Sequence, residues 1–220
     1  MIKINELSKS YNSYTKIFHH LNLEITPGAY YLKGPNGSGK STLLKIIAGM
    51  DSDYTGDISI AGNEMRSSLL ACKRNTTFLP DAPEFYKGTP ASELIRIICL
   101  LRKVDPEVYL NRFARVFNIE QCLHQPVESL SLGQRKKVFL CATLIQEIPI
   151  WLLDEPTNGL DSVSIDVLTK EIIEHAKTGV VIFSSHHEGL IARTSARILS
   201  MDQLTTVRIF SSLPSEEYCK

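Results

Sequence analysis

The stretch Gly34-Pro-Asn-Gly-Ser-Gly-Lys-Ser41 limits what this chain can fold into more than any other. It breaks one apolar run, "YYL", and is followed by another, "TLLKII", with Gly34, Gly37 and Gly39 placed ahead of Lys40, Ser41 and Thr42. A tight turn needs a single glycine. Several in close spacing let successive backbone N–H groups curl inward around an anion without Cβ clashes. A helix starting there directs the positive end of its dipole at the same point. Lys40 adds a full charge for β- and γ-phosphates, and the Ser41 hydroxyl can ligate Mg²⁺. The spelling fits G-x-x-x-x-G-K-[ST] in the strand–loop–helix context that gives the pattern its meaning. Gly34, Pro35, Asn36, Gly37, Ser38, Gly39, Lys40, Ser41 and Thr42 are therefore read as a cradle for a nucleoside triphosphate.

The rest of the chain has to supply an α/β body for that loop. Ile2 and Ile4 alternate, as do Leu21, Leu23 and Ile25 ahead of Pro27–Gly28, and Ile58 and Ile60 in "GDISIAG"; each reads as a strand. "STLLKIIAG" puts Leu43, Leu44, Ile46 and Ile47 at helical spacing and stops at Gly49, a C′ residue. From Phe85 to Glu128 the pattern turns helical. Thr89–Pro90 and Asp105–Pro106 each read as an N-cap followed by proline at the first helical position, and Leu110, Phe113 and Phe117 form an apolar stripe. "PIWLLDE" and "GVVIFSSH" are continuous apolar runs of the kind buried on both faces of a parallel sheet. Between them "VSIDVLTKEIIEHA" supplies Val163, Val167 and Ile172–Ile173 for a crossover helix. The end, "ARILSMDQLTTVRIF", reads as a strand pair. The expected organisation is a P-loop core with an antiparallel β subdomain over 1–84 and 130–220, and a helical insert over 85–129.

At 220 residues, 43% hydrophobic and 22% charged, the chain suits one well-buried core. Lys plus Arg and Asp plus Glu number 24 each, so no global field draws it onto DNA or anionic lipid, and no nucleic acid is expected as partner. No apolar run is long enough to span a bilayer, and the N-terminus has no signal-peptide core. Cys72, Cys99, Cys122, Cys141 and Cys219 are scattered and odd in number, which argues against a disulfide framework or metal site and for a reducing cytosol.

Two further stretches bear on chemistry. "WLLDEPTNGLD" ends an apolar strand with Asp154 and Glu155, where a P-loop site needs one carboxylate for the metal and another for the attacking water. Such neighbours repel unless a cation shares them. In "SLSLGQRKKVFLCATLIQ", Ser129 or Ser131 can cap a helix whose buried face is Val138, Cys141–Ala142 and Ile145. Arg135, Lys136 and Lys137 crowd its first turn, against the dipole. Either an external anion or an acid of the same chain, such as Glu128, relieves that conflict.

Taken together, these stretches resemble the ATP-binding cassette (ABC) ATPase family over nearly the whole chain, in family order. Gly34–Thr42 looks like the Walker A loop, and Leu130-Ser131-Leu132-Gly133-Gln134 like the signature motif, usually LSGGQ. Ile150–Glu155 is similar to Walker B, Gly159-Leu160-Asp161 to the D-loop, and Ser185-His186 to the H-loop. The resemblance implies a RecA-like fold and two cassettes facing head to tail, as homo- or heterodimer. ATP would lie between one Walker A and the other's signature. It also implies roles: Tyr11 stacks adenine, with Tyr14 as competitor, and Lys40 and the loop hold the phosphates. Ser41 and Asp154 hold Mg²⁺, Glu155 polarises the water, and His186 contacts the γ-phosphate. Ser131, Gly133 and Gln134 contact the partner's nucleotide, and Asp161 bridges the dimer.

This sequence departs from the family twice. Asp81 in "FLPDAPEFY" stands where the family has a glutamine; an aspartate there can still ligate Mg²⁺. Leu132 replaces the signature's first glycine, which is tolerable if Ser131 and the Gly133 backbone make the contacts. The implied function is the ATP-hydrolysing subunit of a transporter, leaning towards an exporter. It would be cytoplasmic and peripheral on the membrane's cytoplasmic face, with separate membrane subunits docked near the Asp81 loop and the insert. The alternative is a non-transport ABC ATPase of translation or DNA repair. His19, His20, His124 and His175 are read as surface or packing residues, and Trp151 as core.

Overall fold

The computed structural model describes residues 1–11 and 16–205. Nine strands are found there: β1 (Ile2–Ser10), β2 (Lys16–Ile25), β3 (Gly28–Lys33), β4 (Thr55–Ile60), β5 (Asn63–Glu64), β6 (Thr76–Leu79), β7 (Ile150–Leu153), β8 (Val180–Phe183) and β9 (Arg197–Ser200). The helices are α1 (Lys40–Ile47), α2 (Leu69–Arg74), α3 (Ala91–Arg102), α4 (Pro106–Val116), α5 (Leu132–Thr143), α6 (Ser162–His175), α7 (Glu188–Thr194) and α8 (Met201–Thr205). One sheet runs β2-β1-β4-β5 with antiparallel neighbours. The other runs β6-β7-β8-β3-β9, every pair parallel.

β7 and β8 are buried on both faces because they are apolar throughout, whereas the edge strand β9 is largely exposed. In β7, Ile150 and Leu152 face α1 and the antiparallel sheet, while Trp151 and Leu153 face the helices α3 to α6; the pleat alone makes this division. Trp151 is wholly buried, donates from Nε1 to the Ile145 carbonyl at 3.0 Å and stacks on His175 at 3.8 Å. Burial holds the His175 imidazole down at about 4. His20, in contrast, is exposed beside Glu6. Cys72, Cys99, Cys122 and Cys141 are free and buried; Cys219 lies outside the described residues. Among the described residues no helix is long and apolar enough to cross a membrane.

Several sequence expectations need correction. The C-terminal stretch is not a strand pair as far as it is described. β9 is followed at once by α8, because Met201 buries itself against Gly34 and Gly39 and draws the chain away from the sheet; residues 206–220 lie outside the described ones. The buried face of α6 is Ile165, Leu168 and Ile172, with Val163 and Ile173 exposed. Pro90 is itself the N-cap of α3, so Thr89 falls a residue too early. Asp105 caps α4 as expected, accepting from Glu107 N at 3.0 Å. α2 has only Cys72 buried and so leaves no apolar stripe to read.

Candidate functional site

β3, β6, β7 and β8 point their C-terminal ends at one cleft of about 450 Å³. That edge of an open parallel sheet is where ligands bind. The loop 34–39 leaves β3 and enters α1. Gly39 adopts φ 96°, a left-handed conformation that favours glycine, and a Cβ there would meet Ile17 at 2.5 Å. It leaves the N-terminus of α1 with no side-chain cap. Lys40 is buried and folds back over the loop, donating to the Gly34 carbonyl at 2.8 Å and the Pro35 carbonyl at 3.0 Å.

Asp154 and Glu155 follow β7, and Ser184, Ser185 and His186 follow β8. Ser184 ties the two strand ends together: its Oγ donates to Asp154 Oδ1 at 2.7 Å and accepts from Glu155 N at 2.9 Å. Glu155 sits at φ 44°, a strained backbone for a residue with a side chain, costing about 1–3 kcal/mol. Its side chain is 12% exposed, with Oε1 3.5 Å from His186 Nε2. Burial raises the Glu155 carboxyl above its ordinary value; Asp154 and Asp81 add to this, and His186 and Lys40 oppose it. A carboxylate moved in that direction is a better proton acceptor.

The cleft gathers Asn36, Gly37, Gly39, Lys40, Ser41, Thr42, Asp81, Asp154, Glu155 and His186 from the sequence expectations. Tyr11 stands on its rim, exposed, with its hydroxyl 2.9 Å from Thr42 Oγ1; Tyr14 lies outside the described residues. Ser131, Gly133, Gln134 and Asp161 do not line this cleft. Ser131 caps α5 in a full capping box: its Oγ accepts from Gln134 N at 3.2 Å, and Gln134 Oε1 accepts from Ser131 N at 3.0 Å. Gly133 packs against Gly159, where a Cβ would lie 2.4 Å from the Gly159 carbonyl oxygen.

Asp161 caps α6 and pairs with Lys137 at 2.5 Å, and that ammonium, with the Ser164 N–H, holds its carboxyl down at about 2. The basic start of α5 thus finds partners within the chain: Lys137 in Asp161, Arg135 in the Glu128 and Leu130 carbonyls, and Lys136 in the 80–81 segment, with Arg135 Nε left buried and unbonded. The sequence reading missed Asn158, which lines the cleft, and Ser184. Ser184 had a signal, as the first serine of the Ser-Ser-His run.

The donor set fits a magnesium nucleoside triphosphate. Glu155 Oε2 is buried with no hydrogen-bond partner, and Ser41 and Thr42 of the uncapped α1 N-terminus line the same cleft. Among the described residues no group of three or more His, Cys, Asp or Glu forms a metal cage of its own. Mg²⁺ needs none, since it is held by one or two carboxylates together with phosphate oxygens.

The comparisons agree with that geometry. The family model described as "ABC transporter" matches residues 18–158. The chain is 36% identical over 191 residues to the lantibiotic transport ATP-binding protein SrtF of Streptococcus pyogenes, covering 85% of this chain and 80% of that protein. It is 30% identical to the cytochrome c biogenesis ATP-binding export protein CcmA of Nitrosomonas europaea, over 79% of this chain and 83% of that one. Among solved structures, an ATP-binding subunit of an ABC transporter superposes with a TM-score of 0.81 at 24% identity, over 91% of this chain and 85% of that one. A dimeric cassette, MJ0796, bound to ADP and Pi gives 0.80 at 21%, over 91% and 94%. At those identities the two structures speak for the RecA-like fold with its antiparallel sheet. The chain belongs to the ABC transporter family, as an ATP-binding subunit with ATPase activity.

Proposed function

We propose that this chain powers export by closing head to tail on a second cassette, itself or a paralogue, around ATP. The observation that carries the reading is a split. Lys40, Ser41, Asp154, Glu155 and His186 converge in one cleft, while Ser131 at the tip of α5 is exposed and lines no part of it. A helix N-terminus with a serine and a close-approach glycine can receive an anion, and here a partner has to bring it. Export is favoured by the relatives, whose names state lantibiotic transport and cytochrome c export. None of those names speaks for the alternative in translation or DNA repair.

In this reading Lys40 and the backbone of residues 34–39 bind the phosphates, and Tyr11 covers the base once its hydroxyl leaves Thr42. Ser41 and Asp154 would hold Mg²⁺, which neutralises charge on the transferring phosphoryl group. Asp81, which the sequence also offered as a ligand, is given another task in this reading, since its Oδ1 accepts from Asn158 at 2.8 Å. Glu155 takes the proton of the attacking water, helped by its raised basicity, and His186 orients the γ-phosphate. Asp161 bridges to the partner. The helical block at 85–129 and the adjoining 81–84 loop form the arm on which separate membrane subunits dock, holding the chain at the cytoplasmic face.

The test uses a Glu155→Gln chain, which keeps the shape of the site and removes its base. Mg-ATP is expected to convert it from monomer to dimer on a sizing column, with phosphate release slowed by about 1,000-fold, within the range for loss of a general base. A monomer at saturating Mg-ATP, together with no retention by co-expressed membrane subunits, overturns the reading.

A further inference from the structure

Lys136 is a buried cation that the scheme above leaves without a task. It is 3% exposed, in the second turn of α5, and its ammonium donates to the Asp81 carbonyl at 3.2 Å and the Pro80 carbonyl at 3.4 Å. Among the described residues its one ion-pair partner is the Asp81 carboxylate, at 3.9 Å. Burying an ammonium against so loose an ion pair costs stability that the two carbonyls offset only in part. Burial pulls the group below the ordinary lysine value, and Asp81, Asp154 and Glu155 oppose that in this order. Three acids of the cleft thus favour its charged form.

Asp81 stands between two elements. The oxygen that faces Lys136 also accepts from Asn158 Nδ2 at 2.8 Å. Asn158 belongs to the turn that leaves the cleft, and the next residue, Gly159, lies against Gly133 of α5. Two residues further on, Asp161 pairs with Lys137. The first two turns of α5 therefore touch the cleft's exit loop at Gly133–Gly159 and Lys137–Asp161, and again through Asp81. Of these ties, the one through Asp81 is made by a residue that itself lines the cleft.

We propose that Asp81 and Lys136 are a positioning pair: a strut that fixes the cleft of this chain to its own Ser131 tip, so that the two nucleotide sites of the dimer are set together. This rests on the head-to-tail reading, in which that tip serves the partner's nucleotide. Asp81 acts through Lys136 and Asn158, not as a metal ligand. Its side chain is 53% exposed, so it can be changed without opening the core.

The test compares Asp81→Asn, Lys136→Met and the double variant. Asn keeps an acceptor for Asn158 and removes the charge; Met keeps the buried volume. Each single variant is expected to lower kcat for ATP about tenfold, with KM and the Mn²⁺ dissociation constant measured by electron paramagnetic resonance changed by less than about twofold. The double variant is expected to be no slower than the worse single, as for two ends of one interaction. Packing loss alone would not separate kcat from KM in this way. A Mn²⁺ dissociation constant raised about tenfold or more by Asp81→Asn would make Asp81 a ligand and overturn the proposal. So would losses that multiply in the double variant, or an unchanged kcat. If Lys136→Met does not fold, Asp81→Asn decides alone, by the same kcat, KM and Mn²⁺ measurements. A Glu155→Gln control that forms no ATP-dependent dimer would sink the head-to-tail reading, while the Mn²⁺ comparison still tells strut from ligand.

Discussion

The N-termini of α1 and α5 are both anion sites by electrostatics, and they are built on opposite plans. α1 starts from a left-handed glycine with no side-chain cap, and its lysine leans on carbonyls of its own loop. α5 starts from Ser131 in a closed capping box, with cations of its first turn tied to carbonyls and to Asp161. The first is a cradle left open for a ligand. The second has its cap closed without one, so a phosphate arriving there has to share the serine already used as a cap. In the proposed dimer the cradle binds alone, whereas the tip contributes only when the assembly presents charge to it.

The sharpest way to break this contrast is Lys40→Ala. In a chain that also carries Glu155→Gln, to prevent turnover, the affinity for a fluorescent ATP analogue is expected to fall about 100-fold, the scale of a lost charge-assisted bond in a partly buried site. The loss is expected in the monomer, at protein concentrations too low for pairing. An affinity within about threefold of the parent would mean that the backbone cradle suffices and Lys40 is a structural cation, satisfied by Gly34 and Pro35.

A smaller effect comes from adding one methyl group on each side. At Gly133 the new Cβ would sit 2.4 Å from the Gly159 carbonyl oxygen, a backbone atom that cannot swing aside. Gly133→Ala is expected to cost about 1–3 kcal/mol in urea unfolding, as overpacking does. At Gly37 nothing lies within 4 Å, though φ is 80°. Gly37→Ala then carries only the left-handed backbone penalty of about 1–2 kcal/mol. Its main consequence is weaker nucleotide binding, because the loop's N–H groups turn away. Equal binding losses in the two variants would erase the distinction between a packed tip and an open cradle.

What the sequence could and could not tell follows the same division. The cradle was legible because its chemistry is local: glycines, Lys40 and Ser41 are consecutive and lie between an apolar strand and an apolar helix. Asp154 and Glu155 were legible because they end an apolar run beside a phosphate loop, while His186 came through the family resemblance, supported by its place after the second apolar run. The strut was not, since Asp81, Lys136 and Asn158 are brought together only by the order β6-β7 in the sheet and by α5 crossing behind it. The face of α6 was misread because Val163 lies on the opposite side of the helix from Ile165, Leu168 and Ile172, which take the core. At the end of the chain "RILS" is the strand it reads as, β9, and the misreading begins at Met201, which is buried under the loop glycines and opens α8.

The smallest effect, and the one that most finely tests the two plans, is Ser131→Ala. Removing the hydroxyl deletes the bond to Gln134 N and leaves that N–H to water at an exposed helix end. The expected loss is about 1 kcal/mol of stability, the usual value for an N-cap. ATP affinity of the monomer should stay unchanged, because Ser131 lines no part of the cleft. Turnover in the dimer should fall by more than the stability loss explains, and Ser131→Thr, which retains the hydroxyl, should restore most of it. If Ser131→Ala instead weakened monomer binding as Lys40→Ala does, the tip would have to reach the nucleotide of its own chain. α1 and α5 would then be two halves of one site, not parts of two.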